Sequence, residues 1–171
     1  MRELPRTNTA ASNPAFLLKA LGEGSGEIDR LFYGLNQDDL LDPGVGPDEG
    51  WTLLAIPYHL REVEHGVMQQ IEAILSQRDA PIPHVDFDAM PWRDLYCDED
   101  AQELLDQFHY LRRHTSYTLW ELSDRQWERR GEHPYRGMIS ILDIAREMYQ
   151  HDLEHLWQAQ RMVESILGQV R

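Results

Sequence analysis

Three histidines occur at positions from which their imidazoles could share one metal ion. His151 and His155 are four residues apart, a spacing that places two side chains on one face of an α-helix, one turn apart. A third histidine, His59, lies in a separate segment with apolar periodicity that begins at Trp51. Three imidazoles and one open coordination position are typical of a catalytic rather than a structural zinc-type centre.

Helical periodicity predicts that all three imidazoles point toward a core. His155 falls within the apolar stripe of the last predicted helix, and His151 falls at its edge. His59 lies at the margin of the stripe on the second predicted helix. Burying an imidazole without a partner costs about 1–3 kcal/mol, so each histidine must be hydrogen-bonded or bound to metal. Periodicity alone leaves both interpretations open.

The remaining histidines have no such partnership in the sequence. We expect them at the surface or in loops: His65, His84, His109, His114 and His133.

A di-metal carboxylate centre is a rival interpretation. The segment Glu62–His65 has the Glu-x-x-His spacing of ferritin-like bundles, and Asp152–His155 is its aspartate analogue. Glu62 and His65, however, rotate off the apolar stripe. The first and third helices offer two acids without distinctive context: Glu27 and Glu103. The mononuclear site is therefore preferred.

Three acids lie close to the histidines along the chain. Glu147 is one turn before His151, and Asp152 stands between the two histidines of the pair, so either could accept a ligand N–H. Glu62 could do the same for His59 or act as a general base. The alternative for each acid is a solvated surface position. Aromatic side chains that could line a substrate pocket, or belong to the core, are Tyr58, Trp92 and Trp157.

Composition limits the classes of protein. The 171 residues carry a net charge of -14, which argues against nucleic-acid and anionic-membrane partners but not against a cation site. The single cysteine, Cys97, excludes an intramolecular disulfide and fits a reducing cytoplasm. Its acidic neighbours disfavour a thiolate, so we expect no catalytic role for it. Without a long apolar run or a signal core, we predict a cytoplasmic protein.

The elements that must position the histidines are four predicted helices in one all-α domain over residues 13–171, preceded by a flexible arm at residues 1–12. The first helix opens at Asn13-Pro14, and we expect a kink or break at its glycine-rich residues 22–26. Pro57 predicts a bend in the second helix. No strand is predicted. The other helices and the loops have these approximate bounds: helices at 52–77, 98–122 and 140–168, and loops at 36–50, 80–92 and 131–137.

The two halves of the chain carry a faint internal echo. Leu35–Leu40, a loop and Trp51–Ile56 resemble Leu122–Trp127, a loop and Ile139–Ile144. This similarity suggests two helix pairs in a pseudo-twofold arrangement.

The order and spacing of three motifs resemble a known family. Trp51-Thr52 is followed by His59, a Leu-Ser-x-x-x-Trp turn begins at Leu122, and a His-Asp-x-x-His-Leu-x-Gln segment begins at His151. Over nearly the whole chain, these motifs look like the DinB-like superfamily of damage-inducible and related metalloproteins.

The resemblance implies a four-helix bundle of up-down-down-up topology. It also implies one divalent metal ion (zinc, nickel, iron or manganese) held by His59, His151 and His155, with water completing the shell. Members are often homodimers, and characterised members include thiol transferases that use a low-molecular-weight thiol and a mycothiol-dependent maleylpyruvate isomerase.

The resemblance therefore favours a metal-dependent enzyme, with transfer of a low-molecular-weight thiol to a small-molecule substrate as the first prediction. Metal-dependent hydrolysis is the near alternative. A metal-stabilised bundle that only binds a ligand or forms a dimer is the non-enzymatic alternative, and a histidine-lined bundle without metal is the third.

Overall fold

The computed structural model describes residues 12–169 and is dominated by four long helices. The predicted four-helix bundle is confirmed. The predicted arm lies outside the described residues except for Ser12. In chain order, the α-helices are α1 (Pro14–Leu31), α2 (Gln37–Leu41), α3 (Ala55–Ser76), α4 (Ala101–Trp120), α5 (Asp124–Trp127) and α6 (Ile141–Gln169).

The long helices form a ring in which α1 packs on α4 and α6, and α3 packs on the same two helices. Contacts between α3 and α4 advance in the same direction along both, from Arg61–Gln107 to Glu64–Arg112. The two helices are therefore parallel. Between α1 and α4 the contacts run in opposite directions, as in the pairs Asp29–His109 and Leu21–Arg112. This arrangement agrees with the predicted up-down-down-up topology.

Polar caps begin the helices close to where the sequence predicts. The side chain of Asn13 accepts a hydrogen bond from the backbone of Ala15, with Pro14 at the first position of α1. Ser140 and Asp143 bond each other's backbone N–H at the start of α6. These interactions fix the entry of the helix that carries His151 and His155.

Both segments expected to disturb a helix lie within helices. The predicted break at residues 22–26 is wrong, because α1 continues through the glycines with a Ser25 hydroxyl bond to the Gly22 carbonyl. Pro57 is the third residue of α3, where its missing N–H removes no intrahelical hydrogen bond. Thr52 lies before α3 and bonds the N–H of Ala55 from outside the helix.

The expected absence of strands is also wrong. The segment predicted as a loop at residues 131–137 is a hairpin of two antiparallel strands, and a third strand in the 80–92 segment pairs with it in parallel. A side chain at Gly131 would meet Ile82 and Ile74 at under 3 Å, so only glycine allows this close approach. The strands are β1 (Ala80–Pro81), β2 (Arg130–His133) and β3 (Gly137–Ser140).

The predicted loop at residues 36–50 contains α2 and a short 3-10 turn. Asn36 and Asp39 form a reciprocal capping box at the start of α2, and Ser123 and Gln126 do the same at α5. Both segments of the sequence echo therefore fold as short capped helices, each placed after a long helix.

The core consists of two apolar clusters. On α1, α4 and α6, buried polar residues separate the two clusters, as Arg112 lies between Phe108 and Leu119 on α4. On α3, the buried polar residues His59 and Glu64 flank the boundary between the clusters. We call these residues the polar layer: Ser25, His59, Glu64, Arg112, His151, Asp152, His155 and Gln158.

Candidate metal centre

The structure brings His59, His151 and His155 together inside the bundle. All three side chains are buried, and one ring nitrogen from each lies within 4.8 Å of the others. Nε2 of His59 is 2.8 Å from Nε2 of His151. Among residues 12–169, this is the group of histidine, cysteine or acidic side chains with spacing suited to one metal ion.

Two helices position these imidazoles from opposite sides of the site. His59 lies at the start of the second turn of α3, and the i, i+4 pair projects from the middle of α6. The ring of Trp51 lies 5.4 Å from the ring of His59 and 5.2 Å from that of His155. The ring of Phe87 meets His151 edge-on at 5.1 Å. Aromatic side chains therefore flank the three histidines, which we call the triad.

Hydrogen bonds orient two of the imidazoles. Nδ1 of His155 lies 2.7 Å from Oε1 of the buried Gln158. Because this oxygen only accepts, Nδ1 must carry the proton, and a neutral His155 then presents an unprotonated Nε2. On the opposite side, Nε2 of His59 lies 3.2 Å from the carbonyl oxygen of Phe87.

Burial keeps the triad uncharged. It lowers the pKa of His59 from 6.5 to about 4, and the positive charge that His155 would carry acts in the same direction. For His151, burial and then the two neighbouring histidines lower the pKa to about 2. Burial also lowers the pKa of His155, although its bond to Gln158 opposes the shift. Neutral imidazoles with converging nitrogens are the donor set that divalent transition metals prefer.

A buried arginine holds the ligand-bearing helices together. Arg112 donates to Asp152 at 3.0 Å and to Glu64 at 2.8 Å, and it also bonds the carbonyl oxygen of Leu21. Burial opposes its charge, but Asp152 and then Glu64 raise the pKa of Arg112 above its ordinary value. The sequence suggested that Asp152 is either an acceptor for a ligand N–H or a solvated surface acid. The structure shows neither, because its carboxylate is buried and paired with Arg112. It links α6 to α4.

The segment 84–92, which we call the strap, passes over the triad between β1 and the 3-10 turn at Arg93–Leu95. Val85 packs against α3 at Gly66, where a Cβ would lie 2.8 Å from the valine side chain. A cavity of about 420 Å³ contains His59, and another of about 360 Å³ contains His151. Strap residues line both cavities, so His59 and His151 are reached from different sides of the strap, whereas His155 lines neither cavity.

His84 and His133 form a pair that the sequence did not predict. Nδ1 of His84 lies 3.2 Å from Nε2 of His133, which is buried in β2. The expectation of a surface or loop position is therefore wrong for His133. The pairing depends on the parallel register of β1 and β2, which no local spacing in the sequence reveals. His65 and His114 are exposed, as expected, and His109 bonds Asp29.

The di-metal interpretation has no support in the described part of the chain. Glu62 and His65 are both exposed on α3, and Asp152 is engaged by Arg112. The two acids expected to complete such a centre, Glu27 and Glu103, are also exposed.

The other acids and aromatic residues have varied positions. Glu147 pairs with Arg136 rather than with a ligand N–H. Glu62 bonds Arg61 but also lines the His59 cavity. Tyr58 and Trp92 line that cavity too. The exposed Trp157 lies apart from both cavities, and so does the half-buried Cys97, for which no catalytic role is expected.

Comparison with known proteins assigns the family. A family profile described as the DinB superfamily matches residues 6–159. The fold is similar to a solved structure described as "YfiT from Bacillus subtilis is a probable metal-dependent hydrolase with an unusual four-helix bundle topology". That match has a TM-score of 0.80 and 17% sequence identity, and it covers 96% of this chain and 93% of that chain. No curated protein matches the sequence. Within residues 12–169, every helix is too short or too polar to cross a bilayer. On the extent of the profile match, the chain belongs to the DinB superfamily.

Proposed function

We propose that the protein is a metal-dependent hydrolase whose single divalent ion is held by His59, His151 and His155. The convergence of three buried, neutral imidazoles is the observation that carries this proposal. The description of the YfiT structure as a probable metal-dependent hydrolase is consistent with it. Imidazole ligands suit zinc, nickel and iron alike, so the proposal leaves the metal open among these and manganese.

A divalent ion in such a site lowers the pKa of a coordinated water or thiol and polarises a carbonyl group. The protein's own contribution is positional. Gln158 fixes the tautomer of His155, and Trp51 and Phe87 restrict the access of water to the triad. The two cavities beside the strap provide room for a substrate of modest size.

Charge around the cavities selects among substrates. The His151 cavity is lined by four acids and one arginine, and that arginine is already paired with Glu147. Because that pair is neutral as a whole, three acids remain in excess, and such a lining disfavours carboxylates and phosphates relative to uncharged or cationic molecules. The acids are Asp86, Asp88, Glu147 and Glu154.

Thiol transfer, the first prediction from the sequence, stays a prediction. It would use the same metal chemistry, but an acidic cavity disfavours the approach of an anionic thiol. Cys97 lies outside both cavities, so the protein's own thiol is not a nucleophile for this reaction. Consumption of an added thiol together with an electrophile would support transfer over hydrolysis. Homodimer formation and a cytoplasmic location likewise stay predictions.

Elemental mass spectrometry of tag-free protein tests the site. We expect about one divalent metal ion per chain in the wild type and almost none in His59→Ala, because loss of one of three ligands removes most of the affinity. His114→Ala, which changes an exposed histidine on α4, should retain the metal. A wild-type protein that takes up no metal after incubation with zinc or nickel would overturn the proposal.

Hydrolysis is tested next with the metal-loaded protein. Uncharged and cationic esters, amides and lactones form the panel, and matched substrates with a carboxylate serve as controls. We expect turnover that depends on metal and favours the panel over the controls. Metal binding without turnover of any member would favour the non-catalytic, metal-stabilised bundle.

A further inference from the structure

The pair formed by His84 and His133 lies at the border of both cavities. His84 is the first residue of the strap, and its exposed side chain lines the cavity that contains His59 and the one that contains His151. His133 is the buried last residue of β2. The parallel register of β1 with β2, continued by the bond from Ile82 to Glu132, brings the two imidazoles together.

Hydrogen bonds define where the protons of this pair reside. The backbone N–H of Tyr135 donates to Nδ1 of His133 at 3.2 Å, so this nitrogen carries no proton. Burial, and then the positive charge of Arg136, lower the pKa of His133 and keep it neutral. Its single proton is therefore on Nε2, which donates to Nδ1 of His84 at 3.2 Å.

The same reasoning determines the state of His84. Its Nδ1 accepts the proton of His133, so the proton of a neutral His84 resides on Nε2. Among residues 12–169, no side chain or carbonyl oxygen accepts a hydrogen bond from that Nε2. The ring is also fixed in direction, because it meets the ring of Tyr135 edge-on at 5.3 Å. An oriented donor thus remains available at the cavities.

We propose that His84, held in its Nε2–H tautomer by His133, donates a hydrogen bond to the carbonyl oxygen of an uncharged or cationic ester or amide bound beside the triad. The inference rests on the proposed hydrolase function and extends it to the recognition of the substrate. A neutral imidazole N–H cannot accept a proton at that nitrogen, so His84 serves as a donor rather than a general base. Donors fixed before the reaction stabilise the negative charge that develops on a carbonyl oxygen during hydrolysis.

Nuclear magnetic resonance tests the tautomer directly, without any activity measurement. In ¹⁵N-histidine-labelled protein, long-range ¹H–¹⁵N correlations should show Nε2–H and unprotonated Nδ1 for both His84 and His133. A His84 that carries its proton on Nδ1 would overturn the proposal. In His133→Phe, where the fixed donor is gone, we expect His84 to populate both tautomers.

Binding of acetohydroxamic acid to zinc-loaded protein tests contact with a ligand carbonyl. This probe is uncharged in solution at neutral pH, chelates zinc through its carbonyl and hydroxamate oxygens after its N–OH proton is lost to solvent, and keeps a lone pair on the carbonyl oxygen that can accept a hydrogen bond. Isothermal titration should show about tenfold weaker binding in His84→Phe, which keeps a ring but removes the donor. His84→Gln retains an N–H donor and should stay within about threefold of the wild type. His114→Phe, on the exposed face of α4, should leave the affinity unchanged.

Separate zinc titrations distinguish failure of the proposed metal centre from failure of the proposed hydrogen bond from His84. Equal hydroxamate affinities in wild type and His84→Phe, with zinc binding intact in both, would overturn the role of His84 alone. A wild type that binds no zinc would overturn the metal centre and this role with it.

Discussion

The amide of Gln158 controls which nitrogen of His155 faces the other two imidazoles. Gln158→Leu removes the acceptor for Nδ1–H, leaving the ring free to rotate and to exchange tautomers. We expect zinc affinity to fall by about 10–100-fold, the usual effect of losing a partner that orients a metal-ligating histidine. Competition with a chromophoric chelator measures the affinity.

Gln158→Glu is the matched control for this prediction. A carboxylate also accepts the Nδ1–H, so zinc affinity should remain close to that of the wild type. Equal affinities in the leucine and glutamate variants would show that the hydrogen bond does not position His155.

At the scale of single residues, the sequence predicted the positions of side chains whose relationship depends on their spacing along one helix. The i, i+4 pair and the inward margin of His59 predicted three imidazoles on facing helices, and the structure brings them together. Contacts made across the fold could not be read in this way. Asp152 was predicted to accept a ligand N–H or to face solvent because its partner Arg112 is 40 residues away. His84 meets His133 over 49 residues through a strand register.

Among the elements, α4 has no triad residue but joins the helices that do. Arg112 reaches α1, α3 and α6 through Leu21, Glu64 and Asp152. Arg112→Met would leave two buried carboxylates without their cation, so we expect the free energy of unfolding to fall by about 3–5 kcal/mol. Urea denaturation of the metal-free protein measures this change.

The neighbouring Arg113 provides the control because it is exposed on the same helix. Arg113→Met should change stability by less than about 0.5 kcal/mol. If both methionine variants were equally stable, Arg112 would not be the link between the helices.

Helix caps were the best guide to the elements. Asn13 and Ser140 cap α1 and α6 where the sequence predicts, whereas α4 begins at Ala101 after its Asp100 cap, later than the predicted start at residue 98. The strands were not predicted because they are short: β1 has two residues, and β2 and β3 have four each. The sequences of β2 and β3 are also mainly polar or contain glycine, which gives no strand pattern. Their pairing with one another, rather than their own propensity, stabilises them. The glycines of α1 failed to break it because packing against two neighbouring helices outweighs intrinsic propensity.

For the molecule as a whole, the triad lies in the polar layer between the two apolar clusters, so metal binding should affect the stability of the entire fold. An ion held by the triad would connect α3 and α6 between the two halves of the core. Zinc at about 100 times its dissociation constant should therefore stabilise the folded state by about 2.7 kcal/mol. Thermal unfolding with and without zinc measures the effect, and a chelator should reverse it.

His155→Ala should lose both the metal and this stabilisation, because the two are linked. The exposed control His114→Ala should keep the full response to zinc. Zinc stabilisation that survives in His155→Ala would place the bound ion elsewhere.

The candidate metal ligands and much of the lining of the cavities lie on different parts of the chain, so each can change in evolution without the other. The three imidazoles stand on long helices fixed by the bundle, whereas one continuous segment of nine residues, 84–92, supplies much of the lining of both cavities. Substitutions or length changes within that segment can alter the accepted molecule while the ligand-bearing helices stay in place. A lineage can thus acquire new substrates by exchanging one loop, and a protein engineer can graft the strap of one relative onto the helices of another.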